Sequence, residues 1–266
     1  MSQPQFVLSA FGDEIADDLA TQLEVLKSEG VHNLELRGAW GKNVLDLDAA
    51  ELARARALLD EHGFGVSAIG SPIGKSQIEQ PRSFEHERLD RAINAARALG
   101  TNRIRVFSYF CGENPGQHRD EVLARMRELT ERAADAGLIL VHENERDIYG
   151  DNAERCHDLL ASVDSPALRA AFDPANYVQC GVKPMAEAWP LVNEYVGHIH
   201  IKDAVFSDKS VRPAGQGDGA SPELLATLAE RGYQGFVVLE PHLKVAGRSG
   251  GYSGEEGMRV AIQALR

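Results

Sequence analysis

The chain has 266 residues, 43% of them hydrophobic, and a formal net charge of −12. This length is enough to bury a large core as one domain, and so acidic a chain lacks the basic face with which nucleic-acid binders neutralise phosphates. Neither a membrane span of roughly 18 apolar residues nor a leader-like start is present in the sequence. We therefore predict a cytoplasmic protein that binds neither nucleic acid nor membranes.

Five glycines divide the sequence into repeated units. Each follows a helical pattern and precedes an apolar run, as expected of the left-handed residue that ends a helix before a strand. Between them, apolar residues recur at helical spacing, as in Ile15, Leu19, Leu23 and Leu26, and the other faces are charged. The glycines are Gly30, Gly63, Gly100, Gly137 and Gly232.

Eight short apolar runs alternate with these helical patterns and are typical of buried parallel strands. They lie at 6–11, 33–37, 66–70, 104–108, 137–143, 168–173, 196–200 and 235–240. One strand and one helix in about 33 residues is the unit of a (β/α)8 TIM barrel. An open doubly wound sheet is the main alternative, but its glycine fingerprint is missing after Phe11. We predict a single TIM-barrel domain over residues 1–266.

The last four predicted strands end on side chains that bind metals: Glu143, Asp173, His200 and Glu240. In a TIM barrel the C-terminal ends of the strands form the active-site mouth, so these groups should converge. Two glutamates, an aspartate and a histidine suit one divalent cation, which we expect to be Mn²⁺, Mg²⁺, Co²⁺ or Zn²⁺. Taken singly, Glu240 could instead cap a turn, and Asp173 could start an Asx turn.

Polar residues from earlier strands are further candidates for the mouth. Glu35 and Arg37 end the second strand on the same face, where they either contact a substrate or form a buried ion pair. Lys75 lies in the loop after the third strand and is a candidate for substrate binding. On the fourth strand, Arg105 is interpreted as a structural residue of the barrel.

Several segments carry a family resemblance: LVHEN at 140–144, FDPAN at 172–176, HIHIKD at 198–203 and LEP at 239–241. They resemble the xylose isomerase-like TIM-barrel superfamily, and the likeness covers nearly the whole chain. FGDE at 11–14, ELR at 35–37 and SAIGSPIGK at 67–75 are similar to its sugar phosphate isomerase/epimerase subgroup. The resemblance implies that the metal ligands are the four residues already reached from the strand ends.

The resemblance also implies a chemistry. It predicts a metal-dependent isomerase or epimerase of carbohydrate metabolism, in which Glu143 and Glu240 move a proton next to a carbonyl through a metal-stabilised enediolate. The expected partner is a small carbohydrate, and a homo-oligomer is compatible with the sequence. A lyase or dehydratase acting on a keto-sugar or keto-inositol is the alternative, and a noncatalytic sugar-binding barrel is a second one.

The sequence departs from the related 3-epimerases at two positions. Asn176 stands where those enzymes carry a substrate-contacting histidine, and Phe206 stands where they carry an arginine. Substrate contacts therefore cannot be transferred as a set. We expect Asn176, Lys202 and Asp203 to provide contacts instead, with a salt bridge to a nearby carboxylate as the alternative role of Lys202.

Overall fold

Eight parallel strands close into a barrel in which each strand pairs with its neighbours in the sequence, and the last pairs with the first. The structure is a computed structural model that describes residues 5–243 and 253–266. The predicted TIM barrel is confirmed. The strands are β1 Gln5–Phe11, β2 Asn33–Leu36, β3 Gly65–Ile69, β4 Arg103–Val106, β5 Ile139–Glu143, β6 Leu168–Phe172, β7 Val196–Ile201 and β8 Gln234–Leu239.

Helices cover the outside of the barrel. They are α1 Leu19–Ser28, α2 Ala49–His62, α3 Arg82–Leu99, α4 Arg119–Asp135, α5 Ala153–Val163, α6 Pro174–Gln179, α7 Trp189–Val192, α8 Ser221–Glu230 and α9 Gly254–Ala264. Two short hairpins pair Gly38–Ala39 with Lys42–Asn43 and Asp203–Ala204 with Val211–Arg212. Within the described residues, none of the helices combines the length and the apolar character needed to cross a bilayer.

The sequence explains where the helices begin and end. All five predicted glycines have a left-handed backbone, with φ from 66° at Gly232 to 75° at Gly100. Helix α2 starts on a capping box in which Asp48 and Glu51 each accept a backbone N–H from the other. The leucines at helical spacing in α1 are fully buried against the barrel. The main apolar core therefore lies between the strands and the helices.

The inside of the barrel is polar. Ser9 Oγ and Ser67 Oγ lie 2.8 Å apart, and charged side chains fill the interior towards the C-terminal ends of the strands. Buried charge is costly unless it is paired or functional. The polar interior therefore marks this end of the barrel as the place to look for a site.

Strand β5 alternates between the two sides of the barrel wall, and His142 is a core histidine. Its side chain is 1% exposed, and Nε2 lies 3.0 Å from Ser108 Oγ, which also accepts the backbone N–H of Gly150. Burial lowers the pKa of His142 from 6.5 to about 4. Between pH 6.5 and about 4, the imidazole is therefore neutral in the folded protein and protonated in the unfolded chain.

Replacing His142 with glutamine is expected to flatten the acid side of the stability profile. The contribution of the neutral imidazole is complete above pH 6.5 and is lost as the pH falls towards 4, because the unfolded state then binds the extra proton. Between pH 6.5 and 5, the free energy of unfolding in urea should fall by about 2 kcal/mol more for the wild type than for the variant. His32→Gln, at an exposed position, is the control. Parallel profiles for the wild type and His142→Gln would contradict the prediction.

Candidate active site

The four predicted ligands meet at the C-terminal end of the barrel. Glu143 ends β5, Asp173 follows β6, His200 lies in β7 and Glu240 follows β8. One ligand atom of each lies within 4.8 Å of the others, and all four residues are buried. They converge because four consecutive parallel strands present their last residues at the same edge of the barrel.

Two atoms of this cluster, His200 Nδ1 and Asp173 Oδ2, make no hydrogen bond among the described residues, although Asp173 Oδ2 lies 3.0 Å from the Lys202 ammonium. His200 Nδ1 lies 3.3 Å from Glu143 Oε1. Asp173 uses its other oxygen, Oδ1, to accept the backbone N–H of Asn176 at 2.9 Å. Buried polar atoms are rarely left unpaired, and a set of carboxylate oxygens with one imidazole nitrogen suits a divalent cation. The residues therefore fit the metal site that the sequence predicts.

Two asparagines hold the carboxylates in place. Asn144 exchanges two hydrogen bonds with the backbone of Asp173, donating to its carbonyl at 2.9 Å and accepting from its N–H at 3.0 Å. Asn176 Nδ2 donates to Glu143 Oε1 at 3.0 Å and to the carbonyl of Asn144 at 2.9 Å. Asn176 therefore contacts a candidate metal ligand directly.

Two permanent cations lie against the carboxylates. Lys202 Nζ is 2.6 Å from Glu240 Oε2 and 3.0 Å from Asp173 Oδ2, so it forms the salt bridge considered as its alternative role. Arg105 Nη1 lies 3.1 Å from Glu143 Oε2 and 3.7 Å from Glu240 Oε1. Arg105 thus lies between two candidate metal ligands and belongs to the candidate site, whereas the sequence analysis interpreted it as a structural residue of the barrel.

The charges of the cluster shift one another's pKa values. Burial raises the pKa of Glu143, but His200 and Arg105 lower it more strongly, to about 2. Burial likewise raises the pKa of Glu240, but Lys202 and its other cationic neighbours hold it well below its usual range. Burial lowers the pKa of His200, yet Glu143 and Glu35 raise it to about 10. Both glutamates are therefore ionised at neutral pH.

Arg37 joins a second set of carboxylates to the site. Its guanidinium contacts Asp13 at 2.7 Å, Glu14 at 2.9 Å and Glu240 at 2.8 Å. His242 Nε2 lies 3.2 Å from Glu14 Oε1 and 3.5 Å from Glu240 Oε1. The sequence reasoning missed Asp13, Glu14 and His242, although the acidic pair lies just beyond the end of β1, separated from it by a single glycine.

The remaining predicted contacts lie at different depths. Glu35 has no exposed surface, and its Oε2 accepts hydrogen bonds from His198 and His200. Lys75 is at the rim, where its Nζ lies 2.6 Å from Glu145 Oε2 and about a third of the side chain is exposed. A substrate in the mouth can therefore reach Lys75 directly, whereas Glu35 is covered.

Asp203 organises the loop that follows β7. Its carboxylate accepts backbone N–H groups from Ala204, Gly215, Gly217 and Gly219 at 2.7 to 3.0 Å, and the residue is fully buried. A Cβ on Gly217 would lie 2.5 Å from the Asp203 carboxylate, so the close approach requires glycine there. Asp203 thus shapes the mouth from beneath the loop.

The mouth encloses a cavity of about 380 Å³. Its walls include both glutamates, Asn176 and the cationic groups of Arg37, Arg105 and Lys202. Lys75 and His242 also line it. A cavity with so many hydrogen-bonding groups suits a small, hydroxylated ligand better than an apolar one.

Comparisons with known proteins agree on the fold. The family model described as xylose isomerase-like TIM barrel matches residues 23–266. A 3-dehydroshikimate dehydratase of Bacillus anthracis is 22% identical over 183 residues, which cover 67% of this chain and 64% of that relative. Solved structures include the probable 3-DHS dehydratase AsbF of Bacillus anthracis, with 16% identity, a TM-score of 0.77 and 98% of both chains covered. D-psicose 3-epimerase of Clostridium cellulolyticum H10 has 16% identity, a TM-score of 0.76, and 98% and 97% coverage.

Proposed function

The chain belongs to the xylose isomerase-like TIM-barrel family, and on that basis we propose that it is a metal-dependent isomerase or epimerase of a sugar or sugar derivative. The observation that carries the proposal is the convergence of Glu143, Asp173, His200 and Glu240, four buried residues whose ligand atoms lie within 4.8 Å of one another. Asp173 and His200 hold the ion, and the two glutamates both hold it and move protons.

The reaction is proton transfer next to a carbonyl group. A divalent ion, when bound, stabilises negative charge that develops on a substrate oxygen. Glu143 and Glu240 line the same cavity and serve as base and acid: one ionised carboxylate takes the substrate proton, and the other takes up a proton from water before it donates that proton to the substrate. Arg105 lies close to both glutamates, and its positive charge lowers the pKa of each and so favours the ionised form.

Four side chains are proposed to contact the substrate: Arg37, Lys75, Asn176 and Lys202 line the cavity. Phe206 does not replace the epimerase arginine in function, because it packs against the apolar cluster of Ala175, Val178 and Ala204. The substrate is therefore bound by a different set of groups from those of the 3-epimerases. We expect a small carbohydrate or a related hydroxylated ketone.

A dehydratase is the second candidate, because the matched curated relative is a 3-dehydroshikimate dehydratase. Elimination begins with the same removal of a proton next to a carbonyl and ends with loss of the group on the neighbouring carbon. The candidate residues are then unchanged, and the two functions differ in the product alone. Water release marks the dehydratase, and an isomeric product marks the isomerase or epimerase.

Removal and return of metal test the proposal. We expect the protein to exchange a substrate C–H for deuterium in D₂O, followed by NMR, with a compound from a panel of ketoses, aldoses, inososes and 3-dehydroshikimate. Treatment with EDTA should abolish the exchange, and Mn²⁺, Mg²⁺, Co²⁺ or Zn²⁺ should restore it. Saturable binding without exchange would instead support a noncatalytic sugar-binding barrel. Exchange that is indifferent to EDTA would contradict metal dependence.

A further inference from the structure

One buried carboxylate links two histidines of β7 from the opposite wall of the barrel. Glu35 Oε2, on β2, lies 2.8 Å from His198 Nε2 and 3.2 Å from His200 Nε2. All three residues have 0% exposure. A carboxylate oxygen at these distances from two ring nitrogens serves as the acceptor of their N–H groups.

This arrangement decides which ring nitrogen of His200 can bind a cation. Because Glu35 accepts the proton on Nε2, that nitrogen has no lone pair to offer. The other nitrogen, Nδ1, belongs to the cluster of candidate ligands and lies 3.3 Å from Glu143 Oε1. Nδ1 also has no hydrogen-bond partner in the part of the chain that the structure describes. Glu35 therefore directs the Nδ1 side of the ring towards the candidate ligands.

The His200 ring is also held by its neighbours. Phe11 packs edge-on against it, with ring centroids 5.3 Å apart, and His198 does the same at 5.4 Å. Arg105 Nε lies 3.9 Å from Glu35 Oε1, too far for a hydrogen bond. Among the described residues, the side-chain hydrogen bonds of Glu35 are those to the two imidazoles. Its 0% exposure keeps it from contact with a substrate.

We propose that Glu35 is a positioning residue that fixes the tautomer and orientation of His200, so that Nδ1 coordinates the ion. The inference rests on the proposed metal site and replaces the substrate contact expected of Glu35 from the sequence. Carboxylates that accept the second N–H of a metal-bound histidine typically contribute 10- to 100-fold to metal affinity. His198 shares the same oxygen and braces the carboxylate from below.

The test is Co²⁺ affinity, measured by visible absorption of the purified full chain with a competing chelator. We expect Glu35→Gln to weaken Co²⁺ binding about 10- to 100-fold, because its amide cannot accept two N–H groups on a charged oxygen. Glu35→Asp keeps the charge but shortens the side chain by one methylene, and it should also bind Co²⁺ more weakly than the wild type. Thermal unfolding with EDTA shows whether each variant is folded.

Glu85→Gln is the matched control, since it removes a buried carboxylate that contacts Ser76 and Arg88 instead of His200. An equal loss of affinity in Glu85→Gln, or wild-type affinity in Glu35→Asp, would show that charge alone matters and would overturn the proposal. If the titration finds two Co²⁺ ions per wild-type chain and one per Glu35→Gln chain, Glu35 is itself a metal ligand, and the proposal is overturned as well. If the wild type binds no Co²⁺, the proposed metal site itself fails; normal binding by Glu35→Gln removes the positioning role alone.

Discussion

Replacing Glu143 with glutamine is expected to lower substrate C–H exchange by about 10²- to 10⁴-fold at saturating metal. Glutamine preserves the shape of the side chain but cannot take up a proton, so it removes the base. Glu143 accepts hydrogen bonds from Asn176 at 3.0 Å and from Arg105 at 3.1 Å, which hold its carboxylate in place at the cavity. The measurement is the rate of deuterium uptake in D₂O at several metal concentrations.

The metal series separates the two roles of Glu143. If the variant regains wild-type exchange when enough metal is added, Glu143 is a ligand only and its role as a base is wrong. Glu85→Gln is the matched control, because Glu85 is also a buried glutamate but lies in helix α3 and accepts its hydrogen bond from Ser76. Its exchange rate should remain near that of the wild type.

The low pKa of Glu143 has a consequence for the reaction. A carboxylate whose pKa is about 2 is a weak base, and proton transfer to it is efficient only from a strongly acidified carbon. The positive groups that lower the basicity of Glu143 also stabilise negative charge on a neighbouring substrate oxygen, which acidifies that carbon. Arg105 and a bound ion therefore weaken Glu143 as a base and strengthen the substrate carbon as an acid. They speed the proton transfer when they lie closer to the substrate oxygen than to the Glu143 carboxylate.

The sequence predicts those parts of the molecule that follow local rules. Strand periodicity and helix-ending glycines identify the eight barrel strands to within one or two residues, and the strand ends identify Glu143, Asp173, His200 and Glu240. The strand prediction succeeds, and the four candidate groups converge, because the barrel maps position along a strand onto depth in the molecule. The convergence of the four groups is then a property of the fold.

Partnerships across the barrel are what the sequence could not predict. Arg37 and Glu240 are separated by 203 residues, and Glu35 and His198 by 163. Either partner, read alone, is compatible with contact to a substrate or with a buried ion pair. Asp203 is a similar case, because its partners are backbone N–H groups of a distant glycine loop and leave no pattern of side chains to recognise.

Replacing Lys202 with methionine is expected to destabilise the metal-free protein by about 3 to 5 kcal/mol. Its ammonium is buried between Asp173 and Glu240, so its loss leaves two carboxylates without their nearest cation. Methionine keeps most of the length and the apolar stem of lysine. The measurement is the free energy of unfolding in urea with EDTA present.

Metal should reverse this loss. Lys202 contacts oxygens of two candidate ligands, so a cation bound there competes with the ammonium for the same carboxylates. Saturating Mn²⁺ is therefore expected to raise the Tm of Lys202→Met by more than it raises that of the wild type. Lys42→Met is the control, because Lys42 pairs with Glu51 at an exposed position and its loss should cost about 1 kcal/mol or less. An equal or smaller rise in Tm for Lys202→Met would show that the ammonium and the metal do not share these carboxylates, and the cluster would then lose its assignment as the metal site.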